Sequence, residues 1–172
     1  ERCYSISSIQ APLRLAVKRV PGGQLSNWLN DHLKCGDILE VSSPAGAFTL
    51  RAGERPVVLI AGGSGITPIL SLAQEALNAG RVVHLFYASR SPDEEIYRAQ
   101  VDALSHSPAF HLRRHYDSEH GLPTQQHLAS YAVMEADFYL CGPGPLLALS
   151  ESVLQQQDRV FVERFVGGAS LT

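Results

Sequence analysis

Lysine is nearly missing from this chain: of 14 basic residues, only Lys18 and Lys34 are lysines, and the formal net charge is -3. That balance excludes a nucleic-acid surface, and no block of about five like charges suggests a tail, so charge recognition has to be local. The basic side is nearly all arginine, whose planar fork suits phosphate better than a flexible ammonium does. Cysteine is scarce too. Cys3, Cys35 and Cys141 are far apart and odd in number, without CxxC or Cys/His ligand spacing, so no disulfide framework and no metal site can be read. A reducing cytoplasm is the expected compartment. No apolar run approaches the roughly 18 residues that span a bilayer, and the opening ERCYSISS lacks the apolar core of a signal peptide, so no membrane partner is expected. The chain begins inside a strand-like pattern and reads as a piece of something longer.

What is present is a core-forming chain of 172 residues, 45% apolar, with two textures. From Cys3 to about Leu50 the pattern is short and β-like: CYSISSI, LRLAVKRV, DILEVSS and AFTL, separated by Pro, Gly or polar turns. QLSNWLNDHL interrupts it with helical spacing, and its Trp28 reads as core packing. From Pro56 onward strands and amphipathic segments alternate: PVVLIAG, TPILSLAQEALNAG, RVVHLFYAS, PDEEIYRAQVDALSH, AFHLRRHY, ADFYLCG, PGPLLALSESVLQQQ, RVFVERF. That order predicts an α/β domain with a parallel doubly wound sheet. The polar RAGER at 51 to 55 marks the boundary, giving segments 1-52 and 53-166, and GGAS at 167 to 170 reads as the start of a linker.

VVLIAGGSGITPIL places glycines between a buried strand and a helix, where free backbone N–H groups and the helix dipole favour a phosphate. Gly62, Gly63 and Gly65 let the backbone approach a pyrophosphate, Thr67 offers a hydroxyl and an N–H, and Pro68 suits a first helical turn. A branched side chain at Gly65 is expected to fill the pyrophosphate space and leave the fold intact. Read against G-x-G-x-x-G, the third glycine is replaced by Pro68. The nucleophile elbow G-x-S-x-G fails, because Ile66 stands where its last glycine belongs.

Three more segments carry a family resemblance. RCYSIS at 2 to 7 resembles the R-x-Y-S segment of the ferredoxin-NADP reductase superfamily. GGQLSNWL at 22 to 29 is similar to its G-x-x-S-x-x-L flavin phosphate segment, and FYLCGPGPLL at 138 to 147 to its C-G-P segment. The run from Val17 to Val41, with GLPT at 121 to 124, is most similar to reductase components of bacterial oxygenases, of the phenylacetyl-CoA epoxidase or 3-ketosteroid 9-alpha-hydroxylase type. The resemblance implies FAD held by Arg2 on a phosphate, Tyr4 stacked on the isoalloxazine, Ser5 near flavin N5, and Gly23 and Ser26 continuing the cradle, with Lys18 among the cofactor-binding positions. Ser26 alone reads as an N-cap. Gly62 to Thr67 would hold the NAD(P)H pyrophosphate, while Cys141, Gly142 and Pro143 would shape the nicotinamide pocket; no base stands beside Cys141 in the motif to make it a nucleophile. VERF resembles the family's final E-x-F segment, with Glu163 assisting proton balance and Phe165 shielding the ring. Ser5, Cys141 and Glu163 are thus the candidate catalytic positions.

Two departures accompany the likeness. The family's FAD domain is an antiparallel β-barrel with R-x-Y-S near its fourth strand, so only the C-terminal part of that barrel is expected here. The [2Fe-2S] domain of similar reductases has no cysteine signature in this chain and would be an adjacent domain. The expected function is an NAD(P)H-dependent flavin oxidoreductase passing electrons to a ferredoxin domain or an oxygenase component. The alternatives are a non-catalytic nucleotide-binding module, or the reductase half of a flavohaemoglobin-like or respiratory protein. For the nucleotide, Arg90 in FYASRS favours a 2'-phosphate while Glu119 in HYDSEHG repels one, with a lean to NADH.

Overall fold

The computed structural model describes residues 2–165, so the GGAS linker expected at 167 to 170 lies outside the described residues. Up to Pro56 the described residues run extended or in turns, broken by one helix, α1 (Gln24–His32), and none enters a β-ladder. A ladder needs a second backbone at about 4.8 Å, and these segments find few such partners, as where the Ser7 N–H donates to Arg14 O at 2.9 Å. Trp28, expected in the core, is 46% exposed and stacks on His32 with ring centroids 6.0 Å apart. With so little folded over α1, only about half of the Trp28 surface is covered.

The rest is the expected parallel sheet: β1 (Val57–Gly62), β2 (Val83–Ser89), β3 (Phe110–Tyr116), β4 (Asp137–Cys141) and β5 (Val160–Glu163), in the order β3-β2-β1-β4-β5. β1, central and covered on both sides, is buried at every position, which is why it reads as an unbroken apolar run. Alternate residues feed two cores. Val57, Leu59 and Ala61 pack with Ile66, Ile69 and Ala73 of α2 (Ile66–Asn78) and with Val101 of α3 (Arg98–Leu104). After the short α4 (Asp117–His120), α5 (Gln125–Ala132) and α6 (Gly144–Val153) supply Leu128, Tyr131, Leu146 and Leu147 against Val58 and Ile60 on the other face. The chain runs outward from β1 to β3, then returns to place β4 on the far side of β1. The sequence order therefore reverses between β1 and β4, and their loops part at the carboxyl edge to leave a crevice, the place where such sheets bind ligands.

Candidate nucleotide and flavin site

Adjacent rungs bring the C-terminal residues of β1, β4 and β5 together: Ala61 lies opposite Cys141, and Cys141 opposite Glu163. The loops beyond β1 and β4 pack backbone to backbone because glycine removes the atoms that would separate them. A Cβ at Gly65 would stand 2.1 Å from Cys141 O, one at Gly62 2.6 Å from Pro143 Cδ, and one at Gly142 3.0 Å from Gly62 N. The expectation for Gly65 is thereby corrected: its missing side chain would enter the neighbouring strand end, not the pyrophosphate space. Gly63 is the residue that faces outward, with φ +50° and nothing within 4 Å of its Cβ position. A helical turn at Gly63–Gly65 runs into α2, with Ile66 N–H donating to Gly63 O and Ser64 O, so the open N–H groups at this end belong to the turn; with the start of α6 beside it, two positive dipole ends meet at the seam.

Thr67 is buried at the second position of α2, and its hydroxyl donates to Ser64 O at 2.9 Å. That hydrogen ties the turn and is not directed at a phosphate, so the backbone is left as the anion donor. Pro68 does occupy the first turn. Behind the loop, Tyr87 of β2 takes the Ile96 N–H at 3.0 Å and aims its own hydroxyl hydrogen at Ile96 O (3.1 Å) and Gly63 O (3.4 Å). Burial pushes this phenol up to about 12, which keeps it protonated as a donor.

At the position expected to wall a nicotinamide, Cys141 is fully buried, and burial together with the Glu163 charge pushes its thiol up to about 12. A thiol held there is not a nucleophile near neutral pH, so Cys141 contributes its size and its backbone. Burial also raises Glu163, whose Oε2 has no hydrogen-bond partner. Ser89 Oγ and Asp117 Oδ1 are likewise buried without a hydrogen bond, Asp117 Oδ1 lying 3.8 Å from His115 Nε2, and these three atoms all lie at or just beyond the carboxyl ends of strands, β5, β2 and β3. Buried polar atoms lacking partners cost free energy, and their collection along one edge fits a polar ligand laid across it. Phe165 is exposed and lines a cavity of about 360 Å³ with Gly142, Gly144 and Leu147, beside Arg164, whose Nη2 donates to both Glu151 carboxylate oxygens at 2.6 and 2.8 Å.

Arg90, expected near the adenosine, is exposed, 3.9 Å from Glu94, and its carbonyl receives the Ser118 N–H at 2.9 Å, which joins the loops after β2 and β3. Glu119 is exposed 4.0 Å from His120. On the flavin side, Arg2 is exposed while Tyr4 and Ser5 are half-buried, and Lys18 is exposed. Gly23, not Ser26, is the N-cap of α1; Ser26 sits in the first turn, where its buried hydroxyl accepts the Val20 N–H at 3.3 Å. The N-cap reading of Ser26 is overturned because its hydroxyl turns back along the chain. Tyr87, Asp117 and Tyr97 were not singled out from the sequence. A polar residue closing a strand run was the available signal for Asp117, whereas the other two act through partners far away in sequence.

A doubly wound sheet with glycine loops interlocked at its switch point defines a nucleotide-binding oxidoreductase domain. The comparisons agree: residues 59–151 match the oxidoreductase NAD-binding domain family and residues 2–50 the oxidoreductase FAD-binding domain family. This chain belongs to the NAD-binding oxidoreductase domain family, preceded by FAD-binding domain sequence. It is 44% identical to a flavohemoprotein of Pseudomonas putida over 60% of this chain and 27% of that protein. It is 38% identical to the 3-ketosteroid-9-alpha-monooxygenase ferredoxin reductase component of Rhodococcus rhodochrous over 85% of this chain and 44% of that one. The chain thus spans less than half the length of these relatives. The solved phthalate dioxygenase reductase superposes with a TM-score of 0.81 at 30% identity, over 98% of this chain and 55% of that one.

Proposed function

We propose that this chain is the flavin-contacting and nucleotide-binding portion of an NAD(P)H-dependent reductase that sends electrons to an iron-sulfur domain or an oxygenase component. The carrying observation is the seam of Gly62, Gly65 and Gly142, which joins two helix N-termini while Gly63 leaves the outer side open for a pyrophosphate. FAD, when bound, supplies the conversion of a hydride pair into single electrons. Arg2, Tyr4, Ser5, Lys18, Gly23 and Ser26 are the residues proposed to hold it. The chain's own part is binding and orientation: backbone N–H groups of 62–67 hold the pyrophosphate, Cys141, Gly142 and Pro143 wall the nicotinamide, and Phe165 shields it. Glu163, raised by burial, holds or releases a proton near the reacting edge. The phthalate dioxygenase reductase is described as transferring electrons from pyridine nucleotides to [2Fe-2S], which supports an iron-sulfur acceptor in an adjacent domain. The identity to a flavohemoprotein favours a second reading, a reductase half serving a haem domain. We favour NADH, because Arg90 already has Glu94 beside it and Glu119 adds negative charge near the place of a 2'-phosphate. The test is anaerobic addition of NADH or NADPH to the protein supplied with FAD. Flavin bleaching, faster with NADH, is expected; nucleotide binding without bleaching would leave a non-catalytic module, and no binding would overturn the assignment.

A further inference from the structure

Tyr97 is the one non-glycine among the described residues with a positive φ, +59°, in the left-handed region that tyrosine disfavours by about 1–2 kcal/mol. Such a conformation persists where its surroundings over-determine it. Two sets of contacts do so here. Tyr87 grips both backbone polar groups of Ile96, at 3.0 and 3.1 Å, while its hydroxyl also faces Gly63 O of the phosphate loop. Next along the chain, the fully buried Glu95 carboxylate accepts from Arg114 Nε at 2.8 Å and from the Tyr116 hydroxyl at 2.6 Å. Held in this way, Tyr97 directs its hydroxyl across to the flavin-side segment, 2.6 Å from Ser7 Oγ, the two being 90 residues apart. Ser7 is buried, and its single hydroxyl hydrogen goes to Arg14 O at 3.0 Å, so Tyr97 is the donor in the pair. The bond closes one end of a cleft of about 710 Å³ between residues 7–14 and helices α2 and α3.

We propose that Tyr97 is a positioning residue that couples the phosphate loop to the flavin-side segment, through Gly63, Tyr87, Ile96 and Tyr97 to Ser7, two residues from Ser5. The proposal rests on the nucleotide site argued above. A pyrophosphate that fixes Gly63 fixes the acceptor facing Tyr87, and the rigid 95–97 turn carries that restraint to the Ser7 hydroxyl. The latch has two states, bonded and open, and ligand binding favours the bonded one.

The experiment measures amide hydrogen exchange at Ser7, whose N–H is bonded to Arg14 O, with and without ADP-ribose, a probe that reaches the phosphate loop without nicotinamide or flavin chemistry. In the native sequence ADP-ribose slows this exchange several-fold. In Tyr97→Phe, which keeps the ring and loses the donor, ADP-ribose binds within about twofold of the native affinity, yet the slowing at Ser7 is gone. Ser7→Ala gives the same loss from the other side, and Ser7→Thr, which keeps a hydroxyl, retains the response. A purely structural role for Tyr97 would change exchange with and without ligand alike. Binding with an undiminished Ser7 response in Tyr97→Phe, or with no Ser7 response in the native chain, would overturn the latch alone. Failure of ADP-ribose to bind the native chain would instead overturn the nucleotide site on which it rests.

Discussion

Gly63 and Gly65 stand in one turn and need glycine for opposite reasons. Gly63 has φ +50° and open space where a Cβ would project, so Gly63→Ala pays mainly backbone strain, about 1–2 kcal/mol, and puts a methyl on the side proposed for the pyrophosphate. At Gly65 a Cβ would lie 2.1 Å from Cys141 O and 2.7 Å from Gly142 N, both backbone, so Gly65→Ala must push two loops apart. Overpacking of that kind costs about 1–3 kcal/mol and carries Cys141 and Gly142 with it. Urea denaturation and ADP-ribose titration separate the cases. Gly63→Ala is expected to lose affinity by far more than its modest stability loss implies, whereas Gly65→Ala loses stability and affinity together. A fully stable Gly65→Ala would contradict the seam. The sequence shows that both positions are glycine and that they follow a buried strand. It does not show which way an absent side chain would point, because that is set by β4, a strand distant in sequence at Asp137–Cys141, and by the loop it brings alongside.

Elements whose signal is local were legible and those held by distant partners were not. β1, β2 and α2 follow from apolar runs and helical spacing read in place. PDEEIYRAQVDALSH reads as one helix, yet it is a turn at Pro92–Glu94, a left-handed Tyr97 and then α3 from Arg98. Glu95 is drawn out of any helical path by Arg114 and Tyr116, which the local pattern cannot reveal. α5 went unread because QQHLASYA buries only Leu128 and Tyr131. Its start is fixed by a capping box in which Thr124 N–H donates to His127 Nδ1 at 3.0 Å, a bond that requires this nitrogen unprotonated. Burial, then the charges of His115, Arg113 and His120, lower the His127 pKa. The folded value is below the unfolded one of about 6.5, so this contribution is fully present above about pH 6.5 and is lost as pH falls through the folded value. Thermal melts between about pH 7.5 and 5.5 should therefore show a falling Tm. His127→Gln keeps a cap acceptor without the titration and should flatten that fall. An identical pH slope in the variant would place the sensitivity elsewhere, for instance at the stacked pair His84 and His111, where burial and the neighbouring ring also lower His84.

At the scale of the whole molecule, the carboxyl edge with its glycine seam and the anchorage of the 51 to 55 junction lie at opposite ends of the sheet. Arg81, just before β2, is 3% exposed and donates to Asp137 Oδ2 at 2.6 Å, to Arg55 O at 2.6 Å and to Arg51 O at 3.0 Å. Asp137, the first residue of β4, also accepts from Arg159. Burial alone would raise this carboxyl, but its hydrogen bonds and charge pairing with Arg159 and Arg81 hold it below the usual range. Phe48 and Leu50 pack against the sheet's core, and Arg51 N–H donates to the Tyr139 hydroxyl at 2.8 Å, so the polar RAGER stretch that reads as a loose boundary is in fact tied down by a buried ion pair. Arg81→Met removes both carbonyl donors and leaves Asp137 with Arg159 alone. Breaking a buried pair from one side costs about 3–5 kcal/mol when the remaining charge is left uncompensated; Asp137 keeps Arg159, so the loss should fall below that range and still register in urea denaturation. Because the lost contacts are at the amino end of the sheet, the variant should cleave faster with trypsin after Arg51, which Ala52 follows, while still binding ADP-ribose within about twofold of the native affinity. Unchanged cleavage would show that Phe48, Leu50 and the Tyr139 hydroxyl hold the junction unaided, and a matching collapse of ADP-ribose affinity would show that the two ends of the sheet are not separable.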